Sequence, residues 1–252
     1  MHQEQMGNRI LKEPLNDPHN SALKGEIAKT VLLPGDPQRA IWVAKTFLDC
    51  VKEITSVRGM KGFTGLFNNK EVTVMASGMG GPSAGIYSYE LFTHYDVDSI
   101  IRIGTSGGLN ESIEVGDLVL ALTASTDSNF AHQYNLIGTY SPCVDYPLFQ
   151  KAAQCASTLN IPYHAGMVLS SDLFSSYNAL GEDSWEKWAR MGALVQDMET
   201  HALYCTAAFT KKKALSILTM TDSCVTGMGL SDDKRMSALS PMITLALHTA
   251  TV

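Results

Sequence analysis

Apolar runs of strand length alternate with amphipathic helical segments along this chain, which is typical of an α/β fold. Four strand-like runs, at residues 30–33, 72–76, 99–103 and 214–222, each lead into polar or glycine-bearing residues. No repeat or linker divides the chain, so we predict a single domain. The clearest helical face, with apolar residues at i, i+3, i+4, i+7 and i+8, consists of Ala40, Val43, Ala44, Phe47 and Leu48.

The first strand leads into Pro34-Gly35-Asp36-Pro37, at the start of that helix. Asp36 is suited to the N-cap position and Pro37 to the first helical position. Arg39 then lies in the first turn, where the helix dipole disfavours a cation. A cation there is explained if it helps the free N–H groups to hold an anion. An arginine that extends into solvent is the alternative.

The residues that follow the second and third strand-like runs resemble two known motifs but do not meet the requirements of either. Residues 77–83 are spaced like a dinucleotide-binding fingerprint, but Ser83 replaces the third glycine and Pro82 interrupts the turn, which disfavours NAD. Residues 104–108 fit the Gly-x-Ser-x-Gly nucleophile pattern. That motif requires a helix directly after the serine, and residues 109–116 are predicted to form a loop, so we reject a hydrolase nucleophile.

Three charged positions in these strands and helices are candidates for chemistry. Arg102 lies within an apolar strand and needs an anionic partner, either a protein carboxylate or a ligand. Asp222 ends the last strand, where open α/β sheets place ligand chemistry, although a turn-capping aspartate is as compatible with the local sequence. Glu199 belongs to an acidic first helical turn that the dipole alone would favour. The predicted inward positions of this helix are Met198, Ala202, Cys205 and Phe209.

Composition excludes several classes of protein. The chain has 19 Lys and Arg against 25 Asp and Glu, a net charge of −6, whereas nucleic-acid binding depends mainly on clustered basic residues. The five cysteines form no Cys-x-x-Cys pair and the seven histidines show no paired metal-ligand spacing, so we expect no structural zinc site. With no signal-peptide-like or membrane-spanning run, we expect a cytoplasmic protein without a membrane partner.

Eight short motifs and two later charged residues follow one another in a distinctive order. They are Pro18-His19-Asn20, Leu33-Pro34-Gly35-Asp36-Pro37-Gln38-Arg39-Ala40, Val57-Arg58-Gly59-Met60-Lys61-Gly62-Phe63-Thr64-Gly65, Ser77-Gly78-Met79-Gly80, Ile101-Arg102-Ile103-Gly104-Thr105-Ser106-Gly107, Thr126-Asp127-Ser128, Ser171-Asp172-Leu173-Phe174, Asp197-Met198-Glu199, Asp222 and Arg235. In this order they resemble the nucleoside phosphorylase-I family, specifically its hexameric bacterial-type purine nucleoside phosphorylases. The resemblance covers residues 18–252, the expected phosphorylase domain, and leaves residues 1–17 as an N-terminal extension.

The resemblance implies a three-layer α/β/α fold with a mixed central sheet, and an enzyme of the pentosyltransferase class. The expected reaction is reversible phosphorolysis of purine (deoxy)ribonucleosides to free base and (deoxy)ribose 1-phosphate. By similarity, Gly35, Arg39, Arg102 and Thr105 bind phosphate, and Arg58 reaches it from a neighbouring subunit. Arginine suits this task because its planar guanidinium binds phosphate oxygens in a bidentate manner. Phosphate would also be the anion that Arg39 and Arg102 require.

The resemblance also assigns contacts to the nucleoside and a general acid. The expected ribose-binding residues are Met79, Met198 and Glu199, with His19 of the adjacent subunit at the 5′ end. The expected base-binding residues are Ser106, Gly107, Phe174 and Gln196. Asp222 would protonate purine N7 as the base leaves, and Arg235 would then pair with Asp222. Asp222 must hold or share a proton for this role, which burial would favour.

Departures from the family pattern lie around the base. Gln196-Asp197 stands where relatives carry Val-Glu, Ser223 stands in place of a histidine, and the segment between Phe174 and Gln196 is slightly longer. Gln196 either binds the base edge or faces solvent, and the preference among adenosine, inosine and guanosine stays open.

Three alternative functions remain to be weighed. A uridine phosphorylase is disfavoured because residues 175–192 contain no Gln-x-Arg and because Asp222 suits purines. A nucleosidase would lack the phosphate-binding arginines. A non-catalytic nucleoside-binding protein is the remote alternative, and Asp222 and Arg235 argue against it.

The expected partners are a purine nucleoside, phosphate as co-substrate, and copies of the chain itself. No metal or organic cofactor is expected. The resemblance implies a homohexamer, a trimer of dimers, in which His19 and Arg58 complete the neighbouring site. Charged residues make up 17% of the chain, below the ~25% of ordinary soluble domains, which fits surface buried between subunits.

Overall fold

The computed structural model describes residues 17–177, 179–231 and 236–252. Its strands are β1 Thr30–Leu33, β2 Asp49–Thr55, β3 Gly62–Phe67, β4 Lys70–Met75, β5 Ser99–Gly108, β6 Leu118–Thr126, β7 His164–Ser170, β8 Ala193–Asp197 and β9 Lys213–Ser223. They form one mixed sheet in the order β2-β3-β4-β1-β5-β8-β7-β6-β9. The extension predicted at residues 1–17 lies, apart from Asp17, outside the described residues, so it stays a prediction.

Helices cover both faces of this sheet. They are α1 Pro37–Phe47, α2 Gly81–Thr93, α3 Tyr146–Leu159, α4 Glu186–Arg190, α5 Thr200–Thr210 and α6 Ser240–Thr251, with short 3₁₀ turns at Val57–Gly59, Phe130–Tyr134, Ser175–Tyr177 and Glu182–Trp185. Helices α2 and α5 share one apolar core with the sheet, whereas α1, α3 and α6 share the other. The predicted three-layer α/β/α fold with a mixed central sheet is confirmed.

Five of the strands close into a ring. Strand β5 pairs with β8, β8 with β7, β7 with β6, β6 with β9, and β9 with β5 again. The parallel β5–β9 ladder extends from Ser99 opposite Lys213 to Gly108 opposite Ser223, with one irregularity after Ser106. Strand β5 therefore pairs with β9 along its whole length, and on its other side with β1 at its start and with β8 at its end, which fixes the residues that it carries.

Local sequence explains how α1 begins. The Asp36 side chain accepts a hydrogen bond from the Gln38 amide at 2.8 Å, and proline occupies the first helical turn. Three of the five predicted inward positions, Ala40, Val43 and Ala44, are fully buried. An apolar face that packs on the sheet therefore stabilises this helix more than intrinsic propensity does.

The structure corrects four local predictions. Strand β5 does not end at Ile103 but continues through the glycines to Gly108, because β8 and β9 pair with that part of it. Helix α2 begins at Gly81, so Pro82 belongs to its first turn and does not interrupt it. Residues 193–197 form β8, and α5 begins only at Thr200. Phe209, predicted inward, is 61% exposed near the end of α5.

None of the helices within the described ranges has both the length and the apolar character needed to cross a membrane.

Candidate active site

One cavity of about 820 Å³ opens near the carboxyl ends of several strands. Open α/β sheets bind ligands at this end, and such cavities hold small molecules. It brings together twelve of the predicted site residues: Gly35, Arg39, Met79, Arg102, Thr105, Ser106, Gly107, Phe174, Gln196, Met198, Glu199 and Asp222. Residues that are up to 187 positions apart in sequence therefore share one site.

Two loops meet in the wall of the cavity. The Ser77 amide donates to the Pro34 carbonyl at 2.9 Å, and the Gly78 amide donates to the Gly35 carbonyl at 3.0 Å. A Cβ atom at Gly35 would lie 3.0 Å from the Gly78 carbonyl oxygen, which is tighter than ordinary contact. Glycine at position 35 thus permits the close approach that places the amino-terminal end of α1 on the cavity.

Arg39 turns back across the sheet instead of extending into solvent. Its Nη1 atom donates to the Ile103 carbonyl at 3.2 Å, and the residue is half-buried. The alternative of a solvent-directed arginine is therefore wrong. Its guanidinium lines the cavity near the first turn of α1, where the N–H groups of the helix also favour an anion.

Arg102 is a buried cation that two carboxylates hold. It is 4% exposed; its Nε donates to Asp197 at 3.0 Å and its Nη2 donates to Glu199. Burial alone would lower the pKa of Arg102, but the charges of Glu199 and Asp197 raise it above its ordinary value. The protein thus supplies the anionic partner that Arg102 requires. Its Nη1 has no hydrogen-bond partner among the described residues and remains able to donate to a ligand.

Asp197 is the residue that sequence reasoning undervalued. Its carboxylate also accepts from the Thr200 hydroxyl at 2.6 Å, the Thr200 amide at 3.1 Å and the Ser170 hydroxyl at 2.5 Å. In the sequence, the only sign of its importance was an acidic residue just before a helix, which the helix dipole favours. The hydrogen bond from the Thr200 amide, at the start of α5, agrees with that explanation. Its partners at positions 102 and 170 come from other strands, which no local pattern reveals.

Glu199 joins Arg102 to the loop after β4. Its Oε2 accepts from Arg102, and its Oε1 accepts from the Gly80 amide at 2.6 Å. Met79, next to Gly80, is 82% exposed at the cavity. The position of this loop therefore depends on the same carboxylate that neutralises Arg102.

The cavity lining also includes aromatic, amide and thiol groups. Phe174 is 55% exposed, so part of its ring is available to stack against a flat ligand. Gln196 lines the cavity and its Nε2 donates to the Cys224 sulfur at 3.2 Å, so it does not simply face solvent. A Cβ atom at Gly107 would lie 3.2 Å from that Nε2, so the missing side chain makes room for Gln196.

Cys224 was not among the predicted site residues. Burial raises the pKa of its thiol, so it is a neutral hydrogen-bonding group at neutral pH. A cysteine outside any motif gave no signal in the sequence. Its position one residue after β9 places it beside Gln196.

Asp222 lies in the cavity wall near the end of β9. Its Oδ2 accepts from the Thr221 hydroxyl at 2.8 Å, and its backbone forms an antiparallel bridge with Gly229. The residue is exposed in this chain, so the expectation that it is buried is wrong for the single chain. Arg235, its predicted partner, lies outside the described residues.

Two predicted residues do not line this cavity. His19 contacts Glu90, with 2.6 Å between Nδ1 and Oε1, and Arg58 lies in the left-handed region (φ 56°) within the Val57–Gly59 turn. The sequence assigned both to a neighbouring copy of the chain, and that assignment stays a prediction.

Comparison with known proteins decides the family. The model of the phosphorylase superfamily matches residues 29–239. The chain belongs to the phosphorylase superfamily. Within this superfamily it is 47% identical to the DeoD-type purine nucleoside phosphorylase of Bacillus velezensis over 232 residues, which are 92% of this chain and 98% of the relative. It is 42% identical to the DeoD-type enzyme of Bacillus subtilis over 231 residues, covering 92% and 97%.

A solved structure supports the fold of this superfamily member. Uridine phosphorylase from Vibrio fischeri matches with a TM-score of 0.84 over 93% of this chain and 96% of that chain, at 24% identity. At that identity, the likeness concerns the fold alone.

Proposed function

We propose that this chain is a purine nucleoside phosphorylase, a pentosyltransferase that converts a purine (deoxy)ribonucleoside and phosphate into free base and (deoxy)ribose 1-phosphate. The observation that carries the proposal is that two guanidinium groups, a carboxylic acid and an aromatic side chain all line one cavity. High identity to DeoD-type purine nucleoside phosphorylases over nearly the whole chain supports it.

The cationic end of the cavity is the phosphate site in this proposal. Arg39 and the amino-terminal end of α1 provide positive charge and N–H donors, and Thr105 provides a hydroxyl. Arg102 binds through Nη1, the one guanidinium nitrogen that neither Asp197 nor Glu199 occupies. Because two carboxylates already neutralise Arg102, its role is to direct hydrogen bonds to the phosphate.

Glu199 lies where the ribose would meet the phosphate. Cleavage of the glycosidic bond builds positive, oxocarbenium-like charge on the sugar. A carboxylate held by Arg102 and the Gly80 amide is fixed in orientation, and its remaining lone pairs can accept from ribose hydroxyls. Met79 and Met198 line the same cavity and supply apolar contact to the sugar. Bound phosphate stabilises the cationic sugar and then attacks it.

Asp222 acts as the general acid at the base end. The leaving purine is a poor anion, and a proton delivered to N7 lowers the barrier to its departure. A base stacked on Phe174, in the slot that Ser106 and Gly107 line, would cover Asp222 from water and favour its protonated form. Arg235 then pairs with the carboxylate once the proton has left.

Uridine phosphorylase is the second candidate, the alternative that the sequence left to be weighed. The base end argues against it, since Asp222 serves a purine N7 that uracil lacks. Nucleosidase and non-catalytic nucleoside-binding protein are weaker alternatives, because the cavity contains both phosphate-directed arginines and an acid. No metal or organic cofactor enters the proposed reaction, and we propose that it takes place in the cytoplasm.

Self-association is part of the proposal. His19 and Arg58 lie outside their own cavity, and completing the site would require a second copy of the chain. Large apolar side chains are exposed on α2 and α5, including Tyr89 at 44% and Phe209 at 61%. We propose a homohexamer, a trimer of dimers, in which each copy supplies these two residues to its neighbour. Sedimentation analysis gives the assembly state, and a monomer with full activity would refute this arrangement.

One incubation series tests the reaction. The protein is mixed with inosine, guanosine, adenosine or uridine, each with and without phosphate, and the products are separated by chromatography. We expect free purine and pentose 1-phosphate only where phosphate is present, with the highest rate on a purine. Release of base without phosphate would establish a nucleosidase, and faster turnover of uridine would establish the pyrimidine enzyme.

A matched pair of variants controls for activity from a contaminating phosphorylase. Asp222→Asn removes the proposed acid at a surface position of the cavity, whereas Asp117→Asn alters a carboxylate that pairs with His164 away from it. Both proteins are prepared in the same way. Full activity in Asp117→Asn together with loss in Asp222→Asn assigns the reaction to this cavity, whereas equal activity in both would exclude Asp222 as the acid or reveal a contaminating enzyme.

A further inference from the structure

A second group of polar side chains lies apart from the cavity, between the described amino-terminal residues and α2. His19 Nδ1 is 2.6 Å from Glu90 Oε1, and His94 Nδ1 is 3.6 Å from Asp17 Oδ2. Asp17 also accepts from the His19 amide at 2.9 Å. Glu90 and His94 are four residues apart at the end of α2, so they lie on the same face of the helix.

The carboxyl groups of Asp17 and Glu90 are both buried. The Asp17 side chain is fully buried and Glu90 is 8% exposed. Asp17 Oδ2 and Glu90 Oε2 have no hydrogen-bond partner among the described residues. Within those residues, Glu90 forms an ion pair with His19 and Asp17 forms one with His94. Buried carboxylate oxygens are costly unless hydrogen-bonded or paired with positive charge, so this arrangement needs a proton or a metal ion.

The surroundings increase this requirement. Burial, followed by the adjacent Asp17 carboxyl group, raises the pKa of Glu90, although His19 opposes that shift. Burial and the neighbouring Glu90 charge also raise the pKa of Tyr87, which packs edge-on against the His19 ring at 6.2 Å. Arg58 opposes the shift of Tyr87, and the carboxyl groups of Asp17 and Glu90 supply the negative charge that a small divalent cation would neutralise.

We propose that Asp17, His19, Glu90 and His94 form a binding site for a divalent transition-metal ion, and that the ion bound there is Zn²⁺. Two imidazoles and two carboxylates form a nitrogen and oxygen donor set that zinc accepts in four-coordinate geometry. One donor atom from each of Asp17, His19 and Glu90 already lies within 4.8 Å of the others. The partly exposed His94 ring, at 40%, leaves a path for entry.

Asp17, His19 and Glu90 already lie close together, and His94, which is 3.6 Å from Asp17, would turn toward them to complete the site. With metal–ligand distances of about 2.1 Å, adjacent ligand atoms of a tetrahedral site lie roughly 3.4 Å apart. The His19–Glu90 contact would open from its 2.6 Å hydrogen-bonded distance, since the ion replaces the proton between the two atoms. The ion would bind His19 through Nδ1 and leave Nε2 available for other contacts.

A search of the sequence for paired histidines does not find this site. Each half pairs one histidine with one carboxylate, as Asp17-Pro18-His19 and as Glu90 with His94 one helical turn later. The fold brings the two halves together across 71 positions. The proposal replaces the expectation that this chain binds no metal, and it does not depend on the reaction proposed above.

Zinc binding to the full chain tests the proposal. Protein treated with a chelator and dialysed is titrated with Zn²⁺ by calorimetry, and bound zinc is then counted by elemental analysis. We expect one zinc per chain and a rise in melting temperature with Zn²⁺. Replacement of Zn²⁺ by Co²⁺ should give the visible absorption of a four-coordinate nitrogen and oxygen site.

Variants assign the ion to these residues. We expect Asp17→Asn and His94→Gln each to weaken zinc affinity by at least roughly tenfold, whereas His164→Gln, which changes a comparably exposed histidine elsewhere, should leave it unchanged. His94→Gln decides the matter if Asp17→Asn proves unstable, because His94 is partly exposed. Absence of zinc binding, or equal affinity in wild type and His94→Gln, would overturn the proposal and leave a carboxyl pair that shares a proton.

Discussion

Replacement of Asp197 by asparagine tests whether this carboxylate holds the active-site arginine in place. The change keeps the size of the side chain but removes the charge that faces Arg102 Nε at 3.0 Å. It also brings an amide nitrogen toward groups that donate in the present structure, Arg102 on one oxygen and Ser170 on the other. The asparagine therefore cannot reproduce every hydrogen bond in either orientation.

The cost follows from burial. Asp197 is 6% exposed and Arg102 is 4% exposed, so solvent cannot replace the lost interaction. Removal of one partner from a buried ion pair typically costs 3–5 kcal/mol, and Glu199 still pairs with Arg102, so we expect about 3 kcal/mol. For a domain of this length that corresponds to a fall in melting temperature of about 6–12 °C.

Urea unfolding followed by circular dichroism measures this free energy, at one fixed protein concentration because self-association would shift the apparent stability. Asp117→Asn is the control, since Asp117 pairs with His164 at 2.9 Å and both side chains are 36% exposed. We expect a cost below about 1 kcal/mol there. If Asp197→Asn also costs less than about 1 kcal/mol, Asp197 does not hold Arg102 and the reasoning fails.

Three further predictions concern catalysis and pH. Asp222→Asn should slow phosphorolysis roughly 100-fold or more, most for adenosine, with nucleoside binding nearly intact; an unchanged adenosine kcat would exclude Asp222 as the acid. Arg102→Ala should raise the phosphate KM at least roughly tenfold, and steady-state rates at varied phosphate would reveal an unaffected KM. Burial lowers the pKa of His201, so the unfolded chain binds the proton more readily. Unfolding free energy should therefore fall as pH drops below about 6.5, and His201→Gln should flatten that slope in urea titrations; an identical slope would contradict this.

Much of the fold could be predicted because its signals are local. The apolar face of α1 and the burial of Arg102 within an apolar strand follow from spacing and from the cost of an unpaired charge. The course of β5 could not be predicted, because its glycines suggest a turn and only pairing with β8 and β9 keeps them extended. Long-range pairing overrides local preference at that position.

The candidate site divides in the same way. Arg39, Arg102 and Asp222 stand out in the sequence because each conflicts with its local setting or ends a strand. Asp197 and Cys224 do not, because their importance depends on partners in other strands: Arg102 for the first and Gln196 for the second. A short sequence pattern contains no information about such contacts.

The ring of strands also bears on the tendency of this chain to aggregate. A strand at the edge of a sheet offers unpaired backbone groups to which strands of other molecules can add. Closure removes that opportunity from β5 through β9, and the open edge of the sheet order falls on β2. This strand carries Asp49, Lys52 and Glu53 at exposed positions, and charges of both signs oppose the addition of another strand. The edge strand to which a strand of another molecule could most readily add is therefore the one that carries exposed charged residues.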